Sequence, residues 1–153
     1  MALFEPEWRA GERMIYCDLD TVVTGTLDPL AALDVEFGIC ANFTRASGHP
    51  TWPCGYGSCV MTIGPDALAH VWDEFDDDAT RWMNMAHSYG DQLVIEKLAP
   101  GATLLQHVLP EGFFLGRRDI RHVKPKGCSL VIFAGNAKPH NCEETWIRDS
   151  WTS

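Results

Sequence analysis

Three short groups of side chains combine residue types that do chemistry with a spacing that suits a common site: Asp18-Leu19-Asp20, Gly90-Asp91-Gln92 and Gly135-Asn-Ala-Lys138-Pro-His140. Asp18 and Asp20 close an apolar run, Met14-Ile-Tyr-Cys17. In extended backbone, residues two apart emerge on the same side. Two carboxylates held together there repel one another unless a cation or a shared proton lies between them. The spacing therefore predicts a divalent cation bound through oxygen, against the plainer reading of two solvated aspartates opening a turn. Gly135 lets backbone N–H groups approach phosphate oxygens, and Lys138 adds a point charge. His140, just past a stiffening proline, presents an imidazole to the same centre. Two aspartates and one histidine form a mixed oxygen and nitrogen set that suits Mn2+ or Mg2+ with positions open for diphosphate oxygens. Asp91 falls near a helix start, where negative charge is favoured; a simple cap is the alternative.

The elements that must position these groups follow from periodicity and turn residues. A first strand is predicted over 13–17, and a turn at Gly25 to Pro29 leads, with Asp28 as cap, into a short helix through Leu33. Alternating Val35, Phe37 and Ile39 predict a strand over 35–42. Residues 43–57 carry His49, prolines and glycines and read as a binding loop. A further strand is expected over 58–63, then a helix from Pro65 whose Leu68, Val71, Trp72 and Phe75 form one core-facing stripe. Asp76-Asp-Asp78 reads as a solvated corner and Trp82, Met83 and Met85 as a short packed helix. A helix starts close to Asp91. Short strands are expected over 103–108 and 129–134. A tail over 141–153, with Trp146 and Trp151, is expected to dock on the body.

Composition narrows the function classes. With 153 residues, 46% hydrophobic and 22% charged, the chain suits one globular domain, 1–153. A net charge of -9 argues against general electrostatic binding of nucleic acid or an anionic membrane. An anionic substrate then needs a local device, a metal or a placed lysine; the basic stretch Arg117, Arg118, Arg121, Lys124 and Lys126 is a candidate phosphate patch or a solvated loop. No apolar run reaches the length of a membrane span, and the first residues have no secretion-signal pattern. Six scattered cysteines without a Cys-x-x-Cys pair therefore read as reduced thiols of a cytoplasmic protein. A zinc site from Cys40, His49, Cys54 and Cys59 matches no common spacing.

Ile15-Tyr-Cys-Asp-Leu-Asp-Thr-Val-Val23 with Gly25-x-Leu-Asp-Pro-Leu30, then Gly90-Asp-Gln92, then Phe133-x-Gly-x-x-Lys-Pro-His140 resembles the GT-A fold nucleotide-sugar glycosyltransferases, especially the branch related to glycogenin and the bacterial lipopolysaccharide galactosyltransferases. The resemblance implies an α/β fold, a mixed sheet flanked by helices, and metal-dependent transfer of a sugar from a nucleoside-diphosphate sugar, such as a UDP-sugar, to an acceptor. It implies Asp18, Asp20 and His140 as ligands of Mn2+ or Mg2+, and Gly135 and Lys138 as diphosphate contacts. Asp91 and Gln92 would lie against the donor sugar or the acceptor hydroxyl, as catalytic residues, and Ser58 would contact the sugar, with Gly57-Ser-Cys59 where the family has Asn-Ser-Gly. The branch is a retaining one. Its members begin with a βαβ region that binds the nucleoside, whereas this chain starts almost at the Asp18 strand. The expectation is a partial, N-terminally truncated GT-A domain matching roughly the C-terminal two thirds of such an enzyme.

Two rivals stand beside this reading. A haloacid-dehalogenase-type phosphatase also opens with a strand into Asp-x-Asp, which would make Asp18 the nucleophile and Asp20 the general acid. That chemistry would want an apolar strand before Gly90 and would leave Lys138-Pro-His140 unused. The other rival is a non-catalytic remnant or half-domain that works only with a partner chain.

Overall fold

The computed structural model describes residues 1–5, 7, 11–43, 54–65, 67–87, 90–133, 135 and 138–152. The apolar run before Asp18 forms β1 (Met14–Cys17), and a turn leads into β2 (Thr21–Val23). Helix α1 (Asp28–Ala31), β3 (Phe37–Ala41) and β4 (Tyr56–Ile63) follow. Next come α2 (Ala69–Asp77), α3 (Ala79–Ala86) and α4 (Asp91–Leu98). The chain then runs through β5 (Thr103–Leu104), α5 (Leu105–Val108), β6 (Phe114–Gly116), β7 (Leu130–Ile132) and α6 (Thr145–Thr152).

These strands make two mixed sheets. In the larger, with order β1-β4-β3-β5, β4 runs antiparallel to both β1 and β3 while β5 runs parallel to β3. In the smaller, β7 lies between antiparallel β2 and parallel β6. Purely apolar strands such as Leu130–Ile132 are buried throughout, as expected of strands covered on both faces. One apolar cluster joins Phe37, Ile39, Met61 and Ile63 of the larger sheet to Val71 of α2 and Ile95 of α4. A second joins Cys40, Val60 and Leu105 to Leu130 and Ile132, so it ties the two sheets together. A third surrounds Ile147 of α6 with Val22, Val131 and Phe133. The mixed α/β architecture with flanking helices is the fold class expected from the sequence.

Several elements differ in extent from the sequence reading, each for a local reason. Asp28 is the first residue of α1 rather than its cap, which is Leu27. The helix expected from Pro65 begins at Ala69, because Gly64 N–H is held by Glu36 O at 2.7 Å and Ala67 N–H by Gly64 O at 3.2 Å, closing a turn first. Leu68 then enters the helix at φ 63°, a left-handed value that costs a branched residue strain. Asp78 is more than a solvated corner: its side chain accepts a hydrogen bond from Arg81 N–H and caps α3. Of the three residues expected to pack on α3, Trp82 is buried and Met83 exposed. The expected 103–108 strand is two residues long and turns into α5, which drops Leu105 onto β3. Gly38 permits that approach, since a Cβ there would sit 2.6 Å from Leu105 Cδ2 and 2.8 Å from Thr62 Cγ2. The loop expected over 43–57 lies mostly outside the described residues, His49 included, and β4 begins within it at Tyr56.

Ile147 is fully buried and is the residue through which α6 enters the third cluster. Truncating it leaves a cavity beside Val22 and Phe133. We expect Ile147→Ala to lower unfolding free energy by roughly 2–5 kcal/mol, read as a shift in the urea midpoint at unchanged slope; a loss below about 0.5 kcal/mol would mean that α6 contributes little to the fold.

Candidate active site

The site begins where β1 ends. Asp18 N–H still bonds to Cys59 O of β4 at 2.8 Å, and Thr21 N–H closes back onto Asp18 O at 2.9 Å. Asp18, Leu19 and Asp20 thus form a turn rather than continued strand. The turn tip carries Leu19, which is 93% exposed, while both carboxylates face the same two hollows. Their placement on one side is as expected, but turn geometry produces it, not strand alternation.

Each carboxylate has its own partner. Tyr16 OH donates to Asp18 Oδ1 at 2.7 Å, and Lys138 Nζ meets Asp20 Oδ2 at 2.5 Å. Burial pushes the Asp18 carboxyl above its ordinary range, with Tyr16 and Lys138 pulling it back and the charges of Asp20 and Asp91 pushing it further. Burial and the bond to Asp18 likewise raise Tyr16, so it stays a protonated donor. Lys138 is delivered by the segment after β7, where Pro139 is buried and Asn141 N–H returns to Lys138 O at 3.1 Å. Gly135 adopts φ 82° with open space around it, so its role there is backbone conformation rather than close packing.

Ser58 and Asp91 come from different elements and meet directly: Ser58 Oγ donates to Asp91 Oδ1 at 2.8 Å. The pairing of β3 with β4 slips between Ile39 and Cys40, so that Ile39 faces Met61 and Cys40 faces Gly57. Ser58 stands in that irregular stretch of β4, and bulges of this kind re-aim side chains. Asp91 opens α4 after Gly90 at φ 74°, and its side chain does not cap the helix. A hollow of about 420 Å³ is lined by Asp18, Asp20, Ser58, Gln92 and Gly135, with Asn42 and Phe43 completing one wall. His140 lines a second hollow that also includes Asp18, Asp20 and Lys138.

The structure thus brings Asp18, Asp20, Ser58, Gln92 and Gly135 to one hollow, ties Asp91 to it through Ser58, and puts Lys138 and His140 on the adjoining one. For a metal ion the donor types fit, two carboxylates and an imidazole. Among the described residues, however, no three His, Cys, Asp or Glu side chains converge on one point, and the ammonium of Lys138 supplies positive charge to Asp20. The zinc reading fares no better: Cys40 and Cys54 are buried, and His49 is outside the described residues. Of the basic stretch, Arg121 Nη1 bonds to the carbonyl of Ile120 and Lys124 Nζ to that of Thr24, which are structural contacts. Arg117 of that group shares a hollow with Lys138. Among the described residues no helix is long and apolar enough to cross a membrane.

Sequence reasoning missed Tyr16, although it stands two residues before Asp18 and the same period-two argument reaches it. Its hydroxyl is the hydrogen-bond donor to a half-buried carboxylate. Tyr16→Phe removes that donor, and we expect it to lower stability by about 1 kcal/mol, measured by urea denaturation, with Ile15→Val as a packing control.

No protein family and no curated protein matches the chain by sequence. Solved structures do match by fold. The galactosyltransferase LgtC in complex with donor and acceptor sugar analogues superposes with a TM-score of 0.64 at 16% identity, over 92% of this chain and 59% of that one. An active-site mutant of LgtC gives 0.62 at 17% identity over the same shares. The glycosyltransferase GlyE of Streptococcus pneumoniae TIGR4 gives 0.65 at 18% identity, over 96% of this chain and 42% of that one. The chain therefore spans about three fifths of LgtC's length and less than half of GlyE's. Its fold is a GT-A-like glycosyltransferase fold.

Proposed function

We propose that this chain is a glycosyltransferase-type domain that binds a nucleoside-diphosphate sugar, a UDP-sugar in the first instance, and transfers the sugar to an acceptor. The observation that carries the reading is the meeting of Asp20 and Lys138 beside Asp18, with His140 and Gly135 bordering the same two hollows. Two carboxylates with a lysine suit an anionic ligand only if further positive charge accompanies it. Asp18, Asp20 and His140 are the residues that would hold Mn2+ or Mg2+, and such an ion neutralises charge that develops on a departing diphosphate. Lys138, released from Asp20, does the same from the protein side. Gly135 allows backbone N–H groups to approach the phosphate oxygens.

The hollow with Ser58, Gln92 and Gly135 takes the sugar, with Ser58 and Gln92 as its hydrogen-bonding groups. Asp91, held by the Ser58 hydroxyl, and Gln92 lie at the same end, where they orient the sugar or the incoming hydroxyl. The phosphatase reading has no support of this kind, since the segment ahead of Gly90 is helix α3 and not a strand. A partner chain at the nucleoside end is part of the proposal.

The expected outcome is that UDP-galactose with Mn2+ raises the melting temperature of the wild-type protein by a few degrees, on the order of 2–3 kcal/mol at a hundredfold excess over Kd. Asp20→Ala and His140→Ala should abolish that rise and keep the far-ultraviolet circular dichroism spectrum; an undiminished rise in both variants would remove the metal assignment. In a transfer assay, Lys138→Ala should lower kcat on the order of 10²-fold or more, and a kcat within a factor of two or so of wild type would exclude Lys138 from charge stabilisation.

A further inference from the structure

Cys17, Cys40 and Cys59 stand on the neighbouring strands β1, β3 and β4, and all of them pack into the apolar cluster that ties the two sheets together. The transfer chemistry uses none of these thiols. Cys40 is fully buried, whereas Cys59 is half-buried and borders the hollow of Asp18, Ser58 and Gln92.

Strand pairing explains how Cys40 and Cys59 meet. Ile39 faces Met61 and Cys40 faces Gly57, so Ser58, Cys59 and Val60 of β4 lie opposite the single link between Ile39 and Cys40. Regular alternation would send Cys59 and Val60 to opposite faces. Both nevertheless pack into the cluster that holds Cys40, as an irregular stretch that re-aims its side chains allows. The Cys59 thiol there is a hydrogen-bond partner of the Cys40 thiol. Apart from that contact, Cys59 Sγ makes a long one to Gly57 O at 3.9 Å. Burial pushes the Cys40 thiol up, so it stays protonated until an activated sulfur stands beside it.

We propose that Cys40 and Cys59 form a reversible oxidation site, in which hydrogen peroxide entering the hollow converts the two thiols into a disulfide that clips β3 to β4. The Cys59 sulfur attacks one peroxide oxygen and the O–O bond breaks. Water leaves with the thiol proton, and Cys59 is left as a sulfenic acid. The Cys40 sulfur then attacks the Cys59 sulfur, forming the S–S bond and breaking the S–O bond, and the hydroxyl departs as water with the Cys40 proton. The two sulfurs are oxidised and the peroxide is reduced to water. Ser58, the neighbour of Cys59, holds Asp91 at 2.8 Å, so the clip acts on that contact. Its effect on ligand binding rests on the nucleotide-sugar reading above, whereas the disulfide does not.

Thiol labelling and disulfide mapping by mass spectrometry, after brief treatment of the folded protein with hydrogen peroxide, test the site. The wild type should give a Cys40–Cys59 crosslink that dithiothreitol reverses. Cys59→Ala should give no crosslink at Cys40, and Cys40→Ala should stop at a Cys59 sulfenic acid that dimedone traps. The rise in melting temperature with UDP-galactose and Mn2+ should be largely lost in the oxidised wild type and return on reduction. Thiols of Cys40 and Cys59 that stay reduced, or a crosslink through Cys17 instead, overturn the site. A Cys40–Cys59 crosslink with an undiminished rise overturns its action on the hollow. No rise even in the reduced protein overturns the nucleotide-sugar reading, while the mapping still decides the thiol pair.

Discussion

The site is organised by one electrostatic constraint: Asp18 and Asp20, set together at a half-enclosed turn, repel one another, and positive charge beside them offsets that repulsion. Lys138 supplies it from 118 residues away in the chain, at 2.5 Å from Asp20. The pair is partly exposed, with side-chain accessibilities of 42% for Lys138 and 24% for Asp20, so solvent screens it and its contribution to stability is small. Its consequence is positional. β2 starts one residue after Asp20, and Thr21 pairs with Ile132 at the end of β7, which fixes where the following Gly135 and Lys138 segment emerges. Backbone pairing in the smaller sheet therefore sets the distance between the carboxylates and their cation, and the second apolar cluster, with Leu130 and Ile132 against Val60 and Cys40, sets that sheet against the larger one.

The same pairing explains why so much of the charged site was legible from local patterns. Asp18, Asp20, Gly135, Lys138 and His140 each sit at or near the end of a strand whose apolar residues announce it, and turn residues flank each one. The two-residue spacing of the aspartates survived even though the backbone there is a turn, because a tight turn anchored by Thr21 N–H to Asp18 O also leaves the alternate residue, Leu19, outside. Other features were hidden because tertiary contacts decide them. β6 is three residues of ordinary composition that exist as strand only by parallel pairing with β7. The break after Leu104 depends on Gly38 clearing room for Leu105, and nothing in the 103–108 segment itself separates strand from helix.

Ser58 and Trp151 show two further limits of local reading. Ser58 reaches Asp91 because β4 slips against β3 beside Cys40, an irregularity that belongs to the pairing of two strands and to neither strand alone. Trp151 looked like one aromatic residue in a polar tail. Its position beside Leu19 follows from Ile147, the buried residue one turn earlier, which decides which face of α6 turns inward. In both cases a single long-range contact places a residue whose own sequence surroundings do not.

A fold likeness at 16–18% identity carries architecture and not activity, so the weight of the functional reading falls on side chains. Those side chains divide unevenly. Asp18, Asp20 and Lys138 belong to segments set by the pairing of β1 with β4 and of β2 with β7, whereas Asp91 opens α4 and reaches the site through Ser58. The second hollow joins Asp18, Asp20, Lys138 and His140 to Tyr16, Leu19, Pro139 and Trp151, so charged and apolar side chains line it together. The placement of the charged groups thus depends on strand pairing, while the exposed apolar residues of the second hollow stand on one turn tip and one C-terminal helix.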